Sequence, residues 1–163
     1  MPESLFDSFF RAEARMFMLT AIKVAMAEDG PDLTSRALFA ETDILSARIV
    51  AKQEAVVAGM PLIPIILDFG GSQEGGAACQ FQAMAEDGER VSPGTVLALI
   101  QGPAAHLLKA ERVILNFLCH LSGIATLTAR YVAALAGTRT RLLDTRKTLP
   151  GLRYPEKYAV LAG

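Results

Sequence analysis

A short polar cluster near the C-terminal end of the chain carries residue types that bind anions. Residues 144–148 read DTRKT and directly follow an apolar stretch. Arg146 offers a planar fork for a carboxylate or phosphate, Lys147 offers a point charge, and a threonine on each side adds a hydroxyl group. These groups suit a substrate with several anionic oxygens, and α/β folds concentrate such groups beyond the carboxyl ends of strands. Because the motif is short, a solvated polar loop without a ligand remains the alternative.

A second candidate cation lies on a segment with the periodicity of an amphipathic helix, residues 103–121. When this segment is wound as a helix, apolar side chains form one face and a narrower polar stripe lies opposite. The stripe consists of Lys109, Arg112, Asn116 and His120. By this pattern alone, Arg112 is a solvated cation at the edge of the stripe.

Glu111 departs from the pattern of the same helix, because it falls inside the apolar arc between Leu115 and Leu118. A carboxylate at such a position is rarely buried without a partner. We therefore predict that Glu111 forms a structural ion pair across a contact with another helix or with another subunit.

The histidines and cysteines do not form a site by their spacing. His106 and His120 have no Cys, Asp or Glu partner at metal-ligand spacing, so surface or capping roles are predicted. Cys79 and Cys119 lie outside any CxxC motif, which favours buried thiols in a reducing compartment. The sequence assigns no residue to metal binding or to covalent catalysis.

The overall composition excludes several classes of protein. With 16 Lys and Arg against 17 Asp and Glu, the net charge of -1 argues against nucleic acid or an acidic membrane as the main partner. The longest apolar run, near residues 60–67, is too short to cross a bilayer, and the N-terminus lacks the cationic region of a secretory signal. We therefore expect a soluble cytoplasmic protein with one domain, or one small domain and part of another.

The first hundred residues predict a mixed region of helices followed by an antiparallel sheet. Helical periodicity extends from about Leu5 to Glu28, and Gly30 and Pro31 end it. The remaining elements are predicted as a strand over 44–58, a short helix over 60–69, a flexible loop over 70–76 and two strands within 77–102.

The pattern changes after Pro103, where the helix that carries Arg112 begins. This helix is predicted to end or kink at Ser122-Gly123, and a second helix continues to Gly137. A short strand over 138–144, a polar loop, and a helix or strand over 156–162 follow. Helix, strand and loop in this order are typical of the beginning of an α/β architecture.

Longer strings around the candidate residues resemble a known enzyme family. ERVILNFLCHLSGIATLTARYV, residues 111–132, and LLDTRKTLPGLRYPEKYAVLAG, residues 142–163, closely resemble the quinolinate phosphoribosyltransferases, the decarboxylating enzymes of de novo NAD synthesis. Upstream, EDGPDLTS and AKQEAVVAG resemble further segments of this family. The resemblance covers essentially the whole chain, and its two C-terminal strings are long and specific.

The resemblance implies a fold and a reaction that periodicity does not. The family has an N-terminal α/β sandwich domain, expected here over 1–113, and an incomplete α/β barrel whose beginning is expected over 114–163. Its members form homodimers and join quinolinate to phosphoribosyl pyrophosphate with Mg²⁺. The products are nicotinate mononucleotide, pyrophosphate and CO₂.

The resemblance also assigns roles to individual residues. Arg112 matches the arginine that the family contributes across the dimer interface to the partner's site. Thr145, Arg146 and Lys147 match the family's quinolinate-binding residues. A pyridine with two carboxylates requires several fixed cations to hold it in register, which agrees with these assignments. Arg153 and Lys157 are expected to have structural or surface roles.

The sequence departs from the family after EKYAV. The family continues with a glycine-rich stretch, an Asn-His-Arg sequence, a lysine, acidic residues and phosphate-binding loops, whereas this chain ends at Gly163. A complete barrel takes roughly 200 residues or more. The chain therefore resembles the family's N-terminal portion, and we expect it to be inactive by itself. The alternatives are a related pyrophosphorylase-like protein linked to molybdenum transport and a non-catalytic remnant that dimerises through helices of residues 103–136.

Overall fold

The computed structural model describes residues 4–71 and 78–163, which form six helices and five strands. Most of the predicted 70–76 loop lies outside the described residues. In chain order the elements are α1 (Leu5–Phe9), α2 (Ala12–Glu28), α3 (Leu33–Leu38), β1 (Ile44–Val50), β2 (Ala55–Val56), α4 (Leu62–Gly71), β3 (Gln80–Ala83), β4 (Arg90–Val91), β5 (Val96–Pro103), α5 (Ala104–Ala134) and α6 (Arg153–Ala162). This mixture of helix and sheet confirms the predicted α/β class.

The N-terminal helical region is divided in two at residues 10–11. Ser4 caps α1, because its hydroxyl accepts the Asp7 N–H at 3.0 Å. Phe10 then leaves the helical conformation, and α2 begins at Ala12. The end of α2 agrees with the prediction, since Gly30 adopts a φ of 69°, which glycine tolerates without strain.

The predicted antiparallel sheet is confirmed, with different strand boundaries. β5 is its central strand and pairs antiparallel with β1 on one side and β3 on the other. The predicted strand over 44–58 is wrong beyond Val50, because the register shifts after Ile49 and residues 55–56 pair instead with β4. The described part of the predicted 77–102 region, from residue 78 onward, accordingly contains three strands rather than two. Its predicted turns are correct, with Gly88 and Gly94 both at positive φ.

The predicted helix end at Ser122-Gly123 is wrong, because α5 runs without interruption for 31 residues, whereas the alternative of a kink stays a prediction. Glycine costs about 1 kcal/mol in a helix interior relative to alanine. Here the neighbouring turn is fixed by packing: Leu121 and Ala125 are fully buried. The Ser122 hydroxyl accepts the Ala58 N–H at 3.1 Å, which joins the helix to the chain after β2. Tertiary contacts therefore override the local helix-breaking signal.

By length and composition, α5 resembles a membrane-crossing helix. Such a helix also occurs in the core of proteins that do not enter a membrane. The packing accounts for its apolar character, because α5 contacts α2, α3, α4, α6 and three of the strands. Its buried side chains include Leu107, Ile114 and Leu118, in agreement with the predicted apolar face.

Residues 138–144 do not form the predicted strand. Leu143 is 83% exposed and Leu142 is 39% exposed. A strand requires a hydrogen-bonded neighbour, and none of the described strands lies beside this segment. The following element is a helix, α6, and the alternative of a strand over 156–162 is thereby excluded.

Candidate substrate-binding site

The polar loop of residues 144–149 presents its cations to solvent. Thr145, Arg146 and Lys147 are all exposed. The Lys147 N–H donates to Thr145 Oγ1 at 3.1 Å, which holds the loop in a tight local turn. The Thr145 hydroxyl retains its own proton for donation, so this turn offers hydroxyl, guanidinium and ammonium donors from three consecutive residues.

Both ends of this loop contact α6. At the first end, Lys157 Nζ donates to Asp144 Oδ2 in an ion pair. At the second end, the Leu149 N–H donates to Glu156 Oε1 at 3.2 Å. His120 on α5 donates from Nε2 to the same Glu156 oxygen at 3.0 Å. These contacts were not predicted, because Glu156 is 36 residues from His120 and no short motif joins them.

Arg112 projects from the polar stripe of α5, as predicted, and has a partner within the chain. Its side chain is 73% exposed, and Nη1 donates to Asp29 Oδ1 at 2.5 Å. Together with Glu28, Asn116 and Phe117, these residues line a small cavity of about 270 Å³. One of the five guanidinium N–H donors binds Asp29, so the others can still bind an anion.

Asp32 adds a second carboxylate near Arg112. The pKa of Asp32 is below its ordinary value, chiefly because the Ser35 hydroxyl and N–H donate to its carboxylate; the charge of Arg112 contributes least. The Ser35 N–H bond is 2.9 Å long and caps α3. The EDGPDLTS string therefore forms the end of α2, the α3 cap and the carboxylate that pairs with Arg112.

Glu111 does not form an ion pair with another described residue of the chain. Its side chain is exposed and lines an open cavity of about 1110 Å³ between α5 and the sheet, where Arg48, Lys52 and Arg130 also lie. We predicted an ion pair of Glu111 across either a helix–helix contact or a contact between subunits. The helix–helix alternative is wrong within this chain, because no other described element packs over Glu111. The version that invoked a contact between subunits stays a prediction.

The other candidate side chains have structural surroundings. His106 is half-buried and donates from Nε2 to the Leu67 carbonyl inside α4 at 2.7 Å, which links α5 to α4 and does not cap a helix end. Cys79 lies 3.7 Å from the His106 Nδ1 atom, and burial raises its pKa, with a smaller contribution from the charge of Asp68. The prediction of buried thiols is wrong for Cys119, which is exposed where α5 borders the large cavity, and Cys79 is only half-buried.

The predicted site residues fall into two separate places in one chain. Thr145, Arg146 and Lys147 share a loop, whereas Arg112 lies at the α2–α5 contact. Neither of the two cavities described above includes a residue of 145–147. Within residues 4–71 and 78–163, no group of three or more His, Cys, Asp or Glu side chains could hold a metal ion.

Comparison with known proteins decides the family. The sequence model described as "Quinolinate phosphoribosyl transferase, N-terminal domain" matches residues 32–122, and the model of the C-terminal domain of the same family matches residues 124–163. The chain belongs to the quinolinate phosphoribosyl transferase family. The second match includes the DTRKT loop and α6, so this loop belongs to the portion that matches the family's C-terminal domain.

Curated relatives carry names from the same family. The chain is 39% identical over 145 residues to a carboxylating nicotinate-nucleotide pyrophosphorylase of Mycobacterium leprae, covering 87% of this chain and 50% of the relative. It is 43% identical over 136 residues to a probable enzyme of the same name from Bacillus subtilis, covering 81% of this chain and 44% of the relative. The chain thus spans about half the length of the curated relatives it matches.

Solved structures of the family share this fold. A NadC structure from Streptococcus pyogenes matches with a TM-score of 0.79 at 37% identity, covering 88% of this chain and 51% of that chain. The nicotinate-nucleotide pyrophosphorylase of Francisella tularensis matches with a TM-score of 0.79 at 29% identity, covering 95% of this chain and 54% of that chain. Both the sequence and the three-dimensional arrangement therefore assign the chain to this family.

Proposed function

We propose that this chain is the N-terminal portion of a quinolinate phosphoribosyltransferase that converts quinolinate and phosphoribosyl pyrophosphate into nicotinate mononucleotide, pyrophosphate and CO₂. In this reaction the pyridine nitrogen bonds to C1 of the ribose as the bond from C1 to the diphosphate oxygen breaks. The carboxyl group beside the nitrogen then leaves as CO₂, and a proton takes its place. The observation that carries the proposal is the exposed DTRKT loop within a segment that matches the family's C-terminal domain.

In this proposal, Thr145, Arg146 and Lys147 bind quinolinate. The substrate carries two adjacent carboxylates, and the turn between Thr145 and Lys147 places three donors on consecutive residues. The Arg146 guanidinium suits bidentate binding of one carboxylate, and the Lys147 ammonium suits the second. Fixed cations also favour the departure of the diphosphate, because they screen the negative charge that develops on it as its bond to C1 breaks.

We further propose a homodimer in which Arg112 of one subunit completes the site of the other. The supporting features are the exposure of the Arg112 side chain and the separation of its cavity from the DTRKT loop. Asp29 binds only one guanidinium donor, which leaves Arg112 able to contact a substrate carboxylate from a second subunit. Cytoplasmic location and use of Mg²⁺ are proposals for the whole protein, and no residue of this chain is assigned to the metal.

The proposal is tested by titrating quinolinate into the 163-residue chain and measuring the heat of binding. We expect saturable binding that is lost when Arg146 and Lys147 are both replaced by alanine. Absence of binding by the unsubstituted chain would contradict the proposed role of the loop. A non-catalytic dimerising remnant would form dimers in sedimentation analysis without binding quinolinate, so the two measurements separate these functions.

The shared site is tested by complementation in a protein that carries a complete barrel. Arg112→Ala and Arg146→Ala are each expected to inactivate their own homodimer. Mixing the two variants creates heterodimers in which one site retains both arginines, so part of the activity is expected to return. No recovery after verified subunit exchange would contradict the shared site. The 163-residue chain alone is expected to form no nicotinate mononucleotide.

A further inference from the structure

The DTRKT loop is held at both ends by adjacent residues of α6. Lys157 forms an ion pair with Asp144 at the start of the loop, and Glu156 accepts the backbone N–H of Leu149 just beyond its end. The three proposed substrate-binding residues lie between these attachments, and their side chains have no role in them. The attachments therefore restrain the loop backbone and leave the side chains of Arg146 and Lys147 free.

Glu156 is restrained from a second direction by α5. Its side chain is only 13% exposed, and the Oε1 atom that binds Leu149 also accepts a hydrogen bond from His120 Nε2. A carboxylate that is partly buried and bonded from two elements has few alternative rotamers. Through Glu156, the backbone of Leu149 is therefore held in place by the long helix α5 as well as by α6.

The helix that carries both residues is itself rigidly placed. Tyr158 is 1% exposed and donates from its hydroxyl to Asp87 Oδ2 at 2.5 Å. Its ring meets Phe6 edge-on, with the ring centroids 5.6 Å apart. The other carboxylate oxygen of Asp87 accepts the Met60 N–H at 2.9 Å. Through Tyr158, α6 is joined to the core and to the turn before α4.

We propose that Glu156 and Lys157 are positioning residues that fix the backbone of residues 144–149. The fixed backbone places the side-chain donors of Arg146 and Lys147 at the spacing of two adjacent carboxylates. This inference rests on the proposed function. Flexible Arg and Lys side chains lose rotamer freedom on binding, and a backbone that is already fixed lowers the additional cost of ordering. Binding of a ligand with two carboxylates depends on the spacing between the two cationic side chains, whereas binding of a ligand with one carboxylate depends on it much less.

The test compares quinolinate with nicotinate, a pyridine with a single carboxylate, as ligands of the full 163-residue chain. Glu156→Ala is expected to weaken quinolinate binding about tenfold and nicotinate binding only about twofold, because misplacement mainly harms two-point recognition. Glu156→Gln retains an acceptor oxygen for Leu149 and is expected to recover most of the loss. Glu41→Ala removes an exposed carboxylate distant in sequence from this loop and serves as the matched control.

Hydrogen exchange without ligand provides an independent readout. In Glu156→Ala, amides of residues 145–149 are expected to exchange faster, while those of α5 remain unchanged. Quinolinate binding that Glu156→Ala leaves intact would overturn the positioning role alone. Equal weakening of both ligands together with a lower melting temperature would also overturn it, since that pattern indicates a merely structural residue. No quinolinate binding by the unsubstituted chain would overturn the proposed function first, whatever the exchange data show.

Discussion

The chain segments before and after α5 differ in how far they are packed against the rest of the protein. Before α5, strands, short helices and turns contact one another, and β5 pairs with one strand on each side. After α5, none of the residues 138–152, which we name the linking segment, is buried. Both regions contain apolar residues in strand-like patterns. The difference shows that such a pattern becomes a strand only where another strand accepts its backbone hydrogen bonds.

The linking segment is nevertheless ordered locally. Its turns are fixed by hydrogen bonds such as the one from the Lys147 N–H to Thr145 Oγ1, and by attachment to α6 at Asp144 and Leu149. The core region is thus defined by burial, and the linking segment is defined by polar contacts. Removal of a buried apolar side chain should therefore destabilise the core region strongly, whereas the same removal in the linking segment should have little effect.

The largest expected effect comes from truncating a core leucine. Leu121 is fully buried, so Leu121→Ala is expected to lower the free energy of unfolding by about 3 kcal/mol through lost burial and a residual cavity. The same change at Leu143, which is 83% exposed, is expected to cost less than about 0.5 kcal/mol. Urea unfolding followed by circular dichroism measures both. Equal effects would contradict the division into two regions.

The next effect concerns the function of the linking segment. Arg146→Ala is expected to weaken quinolinate binding by about 2 kcal/mol, or about thirtyfold, because a charge-assisted hydrogen bond is removed. The melting temperature should not change, since Arg146 is exposed. Calorimetric titration measures the affinity, and Arg153→Ala is the control because it removes an exposed arginine from α6. A lowered melting temperature would indicate that Arg146 stabilises the fold instead.

A smaller effect is expected where a side chain of α5 supports the backbone after β1. The Val56 N–H donates to Thr126 Oγ1 at 2.8 Å. Thr126→Val leaves this partly buried donor without its acceptor and is expected to cost about 1–2 kcal/mol in urea unfolding. Thr20→Val is the control, because the Thr20 hydroxyl donates to the Met16 carbonyl of its own helix. Similar losses in both variants would show that the contact with β2 contributes little.

The parts of the fold that could be predicted from the sequence are those with strong local signals. The apolar face of α5, the short helix α4 and the turns at Gly88 and Gly94 depend on periodicity or on positive φ, both of which neighbouring residues specify. Local signals could not decide whether the helix ends at Ser122-Gly123. The outcome depends on contacts with residues 56–58, more than sixty positions away.

The candidate site shows the same limit. The types of Arg146 and Lys147 indicated anion binding by themselves, and the resemblance to a family supplied Arg112. The partners of these residues depend on long-range contacts: Asp29 lies 83 positions from Arg112, and Glu156 lies 36 positions from His120. A short motif can therefore identify the binding group but cannot identify the residues that hold it in place.

Alkaline pH provides a test that acts on the attachment of α6 to the core. Burial raises the pKa of Tyr158, and its hydrogen bond to Asp87 raises it further. The neutral phenol is therefore favoured in the folded state, and the resulting stability is lost as the pH rises above about 10, where the unfolded tyrosine ionises. Between pH 9 and pH 10.5 this loss should reach about 0.8 kcal/mol for the single group. Tyr158→Phe should lack this component, so an unchanged pH profile of unfolding in this variant would contradict the assignment.

The smallest effect is expected for the ion pair between Arg112 and Asp29. Because the Arg112 side chain is 73% exposed, solvent and salt screen the attraction, and Asp29→Asn should lower the free energy of unfolding by no more than about 0.5 kcal/mol. The difference should vanish at high salt, which urea unfolding at low and high ionic strength measures. A loss that persists at high salt would indicate that Asp29 supports the end of α2 through packing. A negligible loss in stability would instead leave Arg112 available for substrate, since little free energy would oppose its release from Asp29.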